Sequence, residues 1–219
     1  MKAKHVFILL KKDLLLEMRQ QQNFYGIIIY AISTVFVLYL SAGQPDTDAW
    51  NALFWITQLF IVVNAVVKSF VGEPRGREIY HYSIVHPLEH LFSKMILNTF
   101  FMLVLAAISL LLFRLLLGDP VVYPLRFAGI ALLGGLGLSL IFTMLSAIAS
   151  KARQQASLVA ILGFPVIIPQ LLLLQRLSKV AYGEVFKDDG MWKLAGLLTG
   201  LDCLVILMAA VLFPYLWKD

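Results

Sequence analysis

The sequence predicts an all-α, polytopic integral membrane protein, with six transmembrane helices and an amphipathic interfacial helix at the amino terminus. Of the 219 residues, 60% are hydrophobic and 14% are charged, whereas soluble domains have roughly 45–50% apolar and about 25% charged residues. One core of this size could not bury so many apolar side chains, so most of them require lipid. The chain also contains six mostly apolar runs of about 20 residues, the length a helix needs to cross roughly 30 Å of hydrocarbon.

The first element is a leader, residues 1–23. On a helix its apolar residues fall on roughly one side, and its polar residues lie elsewhere. The apolar set is Val6, Phe7, Leu9, Leu10, Leu14 and Met18, and the polar set is Lys11, Lys12, Glu17 and Gln20. This pattern predicts a helix lying along the membrane surface. The next apolar run is too long and starts too late for a cleaved signal peptide.

The transmembrane domain, residues 24–219, follows the leader. Its six predicted spans are 24–42, 50–71, 95–117, 126–149, 156–175 and 194–217. Glycine, proline and charged residues separate them, and such residues suit turns. The runs are apolar on every face, so the alternating strands of a transmembrane β-barrel are excluded.

Positive charge predicts the orientation of the spans. Twelve of the eighteen Lys and Arg residues lie on the side of the amino terminus, namely Lys2, Lys4, Lys11, Lys12, Arg19, Lys68, Arg75, Arg77, Lys94, Lys151, Arg153 and Lys218. By the positive-inside rule, both termini are cytoplasmic. The net charge of +5 indicates contact with anionic lipid and no role in binding nucleic acid.

Motifs of catalysis are missing from the sequence. There is no phosphate-binding loop, no zinc-protease motif and no nucleophile elbow, so any ATP is hydrolysed by a partner chain. The single Cys203 excludes an internal disulfide, a redox pair and a haem-attachment motif. The sequence therefore predicts a membrane subunit that is not itself an enzyme and holds no metal.

The longest cytoplasmic loop, residues 72–94, is the candidate site for coupling to an ATPase. Its charged residues could orient a partner, its tyrosines could anchor one, and its proline could start the third span. The candidate coupling residues are Glu73, Arg75, Arg77, Glu78, Tyr80, Tyr82, His86 and Pro87. An ordinary amphipathic connector is the alternative. The loop histidines admit ligation of metal or haem, but interfacial histidines are favoured because no carboxylate pattern or cysteine completes a site.

Two spans carry packing or hinge signals. In the fourth span, small residues that include Gly135 and Ser139 recur every four positions, which permits close approach of another helix. In the fifth span, Pro165 and Pro169 follow Gly163. Each proline removes a backbone hydrogen bond, so a kink is expected, either as static shape or as a hinge.

Asp202 is the intramembrane polar residue of interest, because it is the only acid well inside a span. A carboxylate there is costly, so we expect Asp202 to be neutral, paired with Arg114 or Arg126, or facing a wet cavity. Structural pairing is favoured over a proton relay. We also expect this side chain to be buried against protein instead of lipid.

Three stretches carry a resemblance that covers nearly the whole chain. They are Lys12-Asp13-Leu14 with Glu17, the loop from Gly72-Glu73 through Gly76-Arg77-Glu78 to His86-Pro87, and Arg153-Gln154-Gln155-Ala156 followed by Ile161-Leu162-Gly163-Phe164-Pro165-Val166-Ile167-Ile168-Pro169. In them the chain resembles the membrane permease of the cytochrome c maturation (haem exporter) ABC complex.

The resemblance implies an ABC-2-type permease in the bacterial inner membrane. It implies coupling of ATP hydrolysis by a cytoplasmic ABC ATPase to haem delivery, or to release of a haem-loaded periplasmic chaperone. Further implied partners are a tryptophan-rich haem-handling membrane subunit and a small single-span subunit. Haem is a possible substrate of the complex, and no cofactor is expected on this chain. The alternative function is a generic ABC exporter permease for a lipid, glycan or drug.

Overall fold

The described part of the chain is built from helices and contains no strand. It comprises residues 3–19, 21–71, 87–149, 155–183 and 188–216 of a computed structural model. The helices are α1 (Ala3–Arg19), α2 (Gln21–Ala42), α3 (Thr47–Val71), α4 (Pro87–Leu116), α5 (Pro124–Ala149), α6 (Gln155–Ser178), a 3₁₀ helix (Lys179–Tyr182) and α7 (Asp188–Leu216). Among these residues, six helices, α2 to α7, are long and apolar enough to cross a membrane. The predicted fold class is confirmed.

The largest difference from the predicted spans is at the start of α4. This helix begins at Pro87, whereas the sequence predicted a loop to residue 94 and a span from residue 95. Proline suits the first position of a helix because its missing N–H would have no partner there. Glu89 and Lys94 lie in the first two turns and are buried. Residues 87–94 are therefore part of the bundle and not of a loop.

Helix α5 lies at the centre of the bundle. It packs against α3, α4, α6 and α7, and 72% of its span is buried, compared with 17% for α2. Glycine permits this packing. A Cβ atom on Gly134 would lie 2.5 Å from the Cη2 and Cζ3 atoms of Trp55, so any side chain there would displace the indole ring. The central position of α5 depends on this lack of side chains.

The bundle has two ends, which we call the α1 end and the Trp50 end. At the α1 end, α1 packs on the start of α4. At the Trp50 end, the Trp50 ring is fully buried and stacks on Phe54, with centroids 5.7 Å apart. Phe113 and Phe127 present ring edges at 5.4 and 5.3 Å. The Trp50 Nε1 donates to the carbonyl of Gly118 over 3.1 Å, and Gly118 has a φ of 87°, which favours glycine.

Candidate functional site

Most of the predicted coupling residues lie outside the described residues. Glu73, Arg75, Arg77, Glu78, Tyr80, Tyr82 and His86 all belong to residues 72–86, whereas Pro87 starts α4. Residues 87–94 directly follow this segment, and their charged side chains contact α1.

One ion pair and one histidine–carboxylate contact join α1 to the first turns of α4. Lys94 Nζ lies 3.6 Å from Asp13 Oδ2, and the two side chains are only 8% and 4% exposed. His5 Nδ1 lies 3.1 Å from Glu89 Oε2. Lys12 Nζ adds a third contact, 3.0 Å from Asp13 Oδ1. Charged side chains at the start of α4 thus contact side chains of the leader helix.

The buried side of α1 contains a charged residue as well as an apolar one. Leu9 and Asp13 are buried, whereas Phe7 and Ile8 are exposed. Residues 9 and 13 are four apart and share one face of a helix. Asp13 is buried on this face although it is charged, because it lies against Lys94 of α4. A single basic residue at the start of an apolar helix was the signal that could have located this contact.

Glu17 lies one turn beyond Asp13. Burial raises the pKa of the Glu17 carboxyl above its ordinary value, the positive charge of Lys94 lowers it, and the negative charge of Asp13 raises it. The cluster therefore contains a carboxyl group that holds its proton to a higher pH than a carboxyl in water.

The small residues of α5 lie against α4. A Cβ atom on Gly135 would be 3.4 Å from the Cβ of Ala106. Ser139 Oγ lies 3.4 Å from Thr99 Oγ1. Gly135 and Ser139 thus let the two backbones approach closely, and the hydroxyl contact adds a polar link.

Helix α6 contains both predicted prolines and is helical from Gln155 to Ser178. Pro165 and Pro169 are exposed, and Gly163 is buried. A Cβ atom on Gly163 would lie 3.0 Å from the Cδ1 of Leu145 on α5, so this glycine lies at a close approach of two helices. The kink in α6 stays a prediction.

Asp202 of α7 is 6% exposed and makes a contact that the sequence did not predict. Gln170 Nε2 of α6 donates to Asp202 Oδ1 over 3.1 Å. On the α5 side, a Cβ atom on Gly137 would lie 2.5 Å from the same oxygen. The expected basic partners are engaged elsewhere, because Arg114 pairs with Asp119 and Arg126 lies 4.5 Å from the ring centroid of Tyr123. The expected arginine partner is therefore corrected to an amide from α6.

The contacts between the described residues pack one helix against another. Among these residues, no three His, Cys, Asp or Glu side chains are grouped so that they could hold a metal ion. A cleft between α4, α5 and α7 has about 150 Å³ of empty volume and is lined by apolar side chains such as Leu91, Met144 and Phe213. Pockets for small molecules are usually about 300–1,000 Å³, so this cleft is too small for such a ligand.

Comparison with known proteins identifies the family. The family model described as CcmB protein matches residues 4–215. No curated protein matches the chain. The family match spans α1 and all six apolar helices, and the family consists of ABC permeases that work with other subunits in cytochrome c maturation. The chain therefore belongs to the CcmB family, the haem exporter permeases of cytochrome c maturation, and is a multi-pass membrane protein.

Proposed function

We propose that this chain is the subunit through which a separate cytoplasmic ATPase drives haem delivery, or release of a haem-loaded periplasmic chaperone, during cytochrome c maturation. Family membership supports this assignment over a generic exporter of lipid, glycan or drug. ATP is bound and hydrolysed by the partner chain. Haem is the substrate of the complex. This chain changes conformation when the partner hydrolyses ATP and catalyses no reaction itself.

One observation carries the proposal. Helix α4 starts at Pro87, directly after residues 72–86, and runs to Leu116 at the Trp50 end of the bundle. A helix of this length spans about 45 Å at 1.5 Å per residue. A push on the segment before Pro87 would therefore reach the opposite end through one continuous element.

The sequence of residues 72–86 suits the docking of a soluble partner. Tyr80 and Tyr82 can fill apolar pockets, and truncation of such an anchor commonly costs about 2 kcal/mol or more. Rim charges such as Glu73 and Arg75 contribute about 0 to 1 kcal/mol each and orient the partner. Tyrosines are therefore the side chains whose loss should release the ATPase.

Helix α6 is the element that we propose bends during this cycle. Pro165 and Pro169 cannot donate backbone hydrogen bonds, and each clashes with an earlier carbonyl. Gly163 keeps α6 close to α5 just before the two prolines. A helix that packs closely on its neighbour at one residue and is weakened by prolines just after it can bend at those prolines.

The proposed setting is the bacterial inner membrane, with both termini in the cytoplasm. There the leader lies along the membrane surface, which the exposed Phe7 and Ile8 support because they can enter the lipid interface. Besides the ATPase, we propose that the complex contains the tryptophan-rich haem-handling membrane subunit, the small single-span subunit and the periplasmic haem chaperone.

Co-purification tests this function. The variant Tyr80→Ala/Tyr82→Ala should reduce at least tenfold the amount of ATPase that wild-type protein retains in detergent, because two aromatic anchors of the proposed docking segment are removed. Two controls should retain it: Lys151→Ala, on the short cytoplasmic loop, and Tyr39→Ala, an exposed tyrosine near the Trp50 end. Full retention by the double tyrosine variant would show that the ATPase docks elsewhere. Because the ATPase is cytoplasmic, its binding to this segment also tests the orientation.

A further inference from the structure

We infer that α1 is a second part of the coupling path, with Asp13 and Lys94 as the positioning residues that make α1 move together with the start of α4. The inference rests on the proposed function, because it concerns how movement spreads after the ATPase acts. It assigns to the leader helix a role beyond lying on the membrane. Four observations carry it.

First, α1 is attached to α4 at two separate points. The His5–Glu89 contact lies near the first residue of each helix, and the Asp13–Lys94 contact lies farther along both. Eight residues of α1 separate the two attachment points, which corresponds to about 12 Å of helix. Two attachment points along one helix oppose both its sliding and its rotation relative to its neighbour.

Second, the inner attachment is a buried ion pair. Asp13 and Lys94 are both more than nine-tenths buried. Separation of this pair moves two buried opposite charges apart in a medium of low dielectric constant, which opposes it even though Lys12 stays beside Asp13. In contrast, the Lys179–Asp48 pair at the Trp50 end has an Asp side chain that is 74% exposed, so water can replace either partner.

Third, the attachment lies next to the proposed entry point of movement. Lys94 follows Pro87 by seven residues, about two turns of the uninterrupted helix α4. Movement of Pro87 therefore carries Lys94 with it, and Lys94 carries Asp13. No flexible element lies between the two residues of α4.

Fourth, α1 passes the movement on. The helix ends at Arg19, and α2 starts at Gln21. Helix α2 also contacts α3 and α4. Its position at the periphery, with only 17% of its span buried, leaves it freer to shift than α5. The ion pair thus lets one input at α4 displace α1 and α2 together.

The test removes the ion pair without leaving a lone buried charge. The variant Asp13→Asn/Lys94→Met replaces both charged groups by neutral ones of similar size. Replacement of a whole buried ion pair by neutral residues often leaves the free energy of unfolding unchanged. It is examined in the complete complex, co-expressed with the ATPase. Three quantities are measured: membrane level, ATPase retained on purification, and cytochrome c carrying covalent haem. The matched control, Lys179→Met/Asp48→Asn, neutralises the exposed pair in the same way.

We expect the variant to keep its membrane level and its bound ATPase within twofold of wild type, and to lose matured cytochrome c by at least fivefold. The control should stay within twofold in all three. A mature cytochrome c level equal to wild type would overturn the inference. Loss of bound ATPase from the variant would also overturn it, because the pair would then serve docking. Absence of the ATPase from wild-type complex would instead contradict the proposed function.

A reversible cross-link between positions 13 and 94 tests whether the attachment of α1 to α4 is what the ion pair provides, as opposed to a general contribution to stability. In a Cys203→Ser background, Asp13→Cys/Lys94→Cys is joined by a bifunctional thiosulfonate reagent, which forms two disulfides to the cysteine sulfurs and releases two sulfinates. The readout is ATP hydrolysis by the purified complex in proteoliposomes containing the haem-loaded chaperone. The unlinked variant should lose the hydrolysis that depends on the haem-loaded chaperone, because movement no longer passes from α4 to α1. The link should restore at least half of the wild-type rate, and reduction of the link should abolish this gain. Equal rates with and without the link would overturn the inference.

Discussion

At the α1 end, charged side chains are buried and paired across helices, whereas at the Trp50 end the charged pairs are exposed and aromatic rings are buried. Asp13 and Lys94 represent the first type, and Arg114 with Asp119 represents the second. The indole N–H of the buried Trp50 donates to a backbone carbonyl. The ends therefore respond to different perturbations.

This difference has a physical consequence. Removing one member of a buried ion pair leaves an uncompensated charge, which costs about 3–5 kcal/mol, whereas an exposed pair contributes about 0–1 kcal/mol. Aromatic contacts depend on buried area and ring geometry, not on charge. The α1 end should thus be sensitive to charge and pH, and the Trp50 end to side-chain volume.

The largest expected effect would break the Trp50 end. Trp50→Ala should lower the free energy of unfolding by about 3–5 kcal/mol, because it removes a fully buried ring and its hydrogen bond. Reversible unfolding in mixed micelles measures the change. Trp192→Ala is the matched control, since this ring is 73% exposed, and it should change the value by less than about 0.5 kcal/mol. Similar losses in both variants would contradict the assigned cluster.

A smaller loss in the free energy of unfolding is expected for variants of Asp202, which lies between the two ends of the bundle. Asp202→Leu should cost about 1–3 kcal/mol, because it leaves the buried Gln170 amide without its acceptor. Asp202→Asn should cost less, since the Asn carbonyl can accept the same bond. The same unfolding experiment compares them. Equal damage from Asn and Leu would mean that this contact requires a charge, as at the α1 end.

A glycine pair provides the control for this contact. Gly137→Ala would place a methyl group against Gln170 and Asp202, and Gly129→Ala would place one where no atom lies within 4 Å. Both substitutions are on α5. We expect only the first to destabilise the protein. Destabilisation by Gly129→Ala alone would contradict the packing of α5.

The smallest expected effect sharpens the comparison through pH. The pKa of Glu17 is raised mainly by burial, so the native state keeps this proton over a range in which the unfolded chain has lost it. Stability should therefore be greatest below the ordinary pKa and should fall as pH rises through the native pKa. Unfolding measured from about pH 4 to pH 8 should show this slope in wild type and a smaller slope in Glu17→Gln. An unchanged slope would exclude Glu17 as its source.

The fold could be predicted because hydrocarbon imposes a simple length rule. Six apolar runs correspond to six helices, and the breaks between the runs contain glycine, proline or charged residues. Pro87 was predicted to be able to start the span, as it does, but residues 88–94 were assigned to the loop, because Glu89 and Lys94 resemble loop residues until their partners in α1 are known. Charge inside a helix is acceptable only when a distant residue neutralises it, and hydropathy contains no information about that residue.

The candidate site divides in the same way. The sequence identified Asp202 as a costly group in a span, but its arginine partners were wrong, since Gln170 lies 32 positions away and only the packing of α6 on α7 brings its amide to the carboxyl. By itself, the sequence determined the number of spans, the leader and the family resemblance, because these depend on local composition and order. The tertiary structure alone decided the contacts of Asp13, Lys94 and Asp202, because a buried charge is stabilised by groups that are near in space and far apart along the chain.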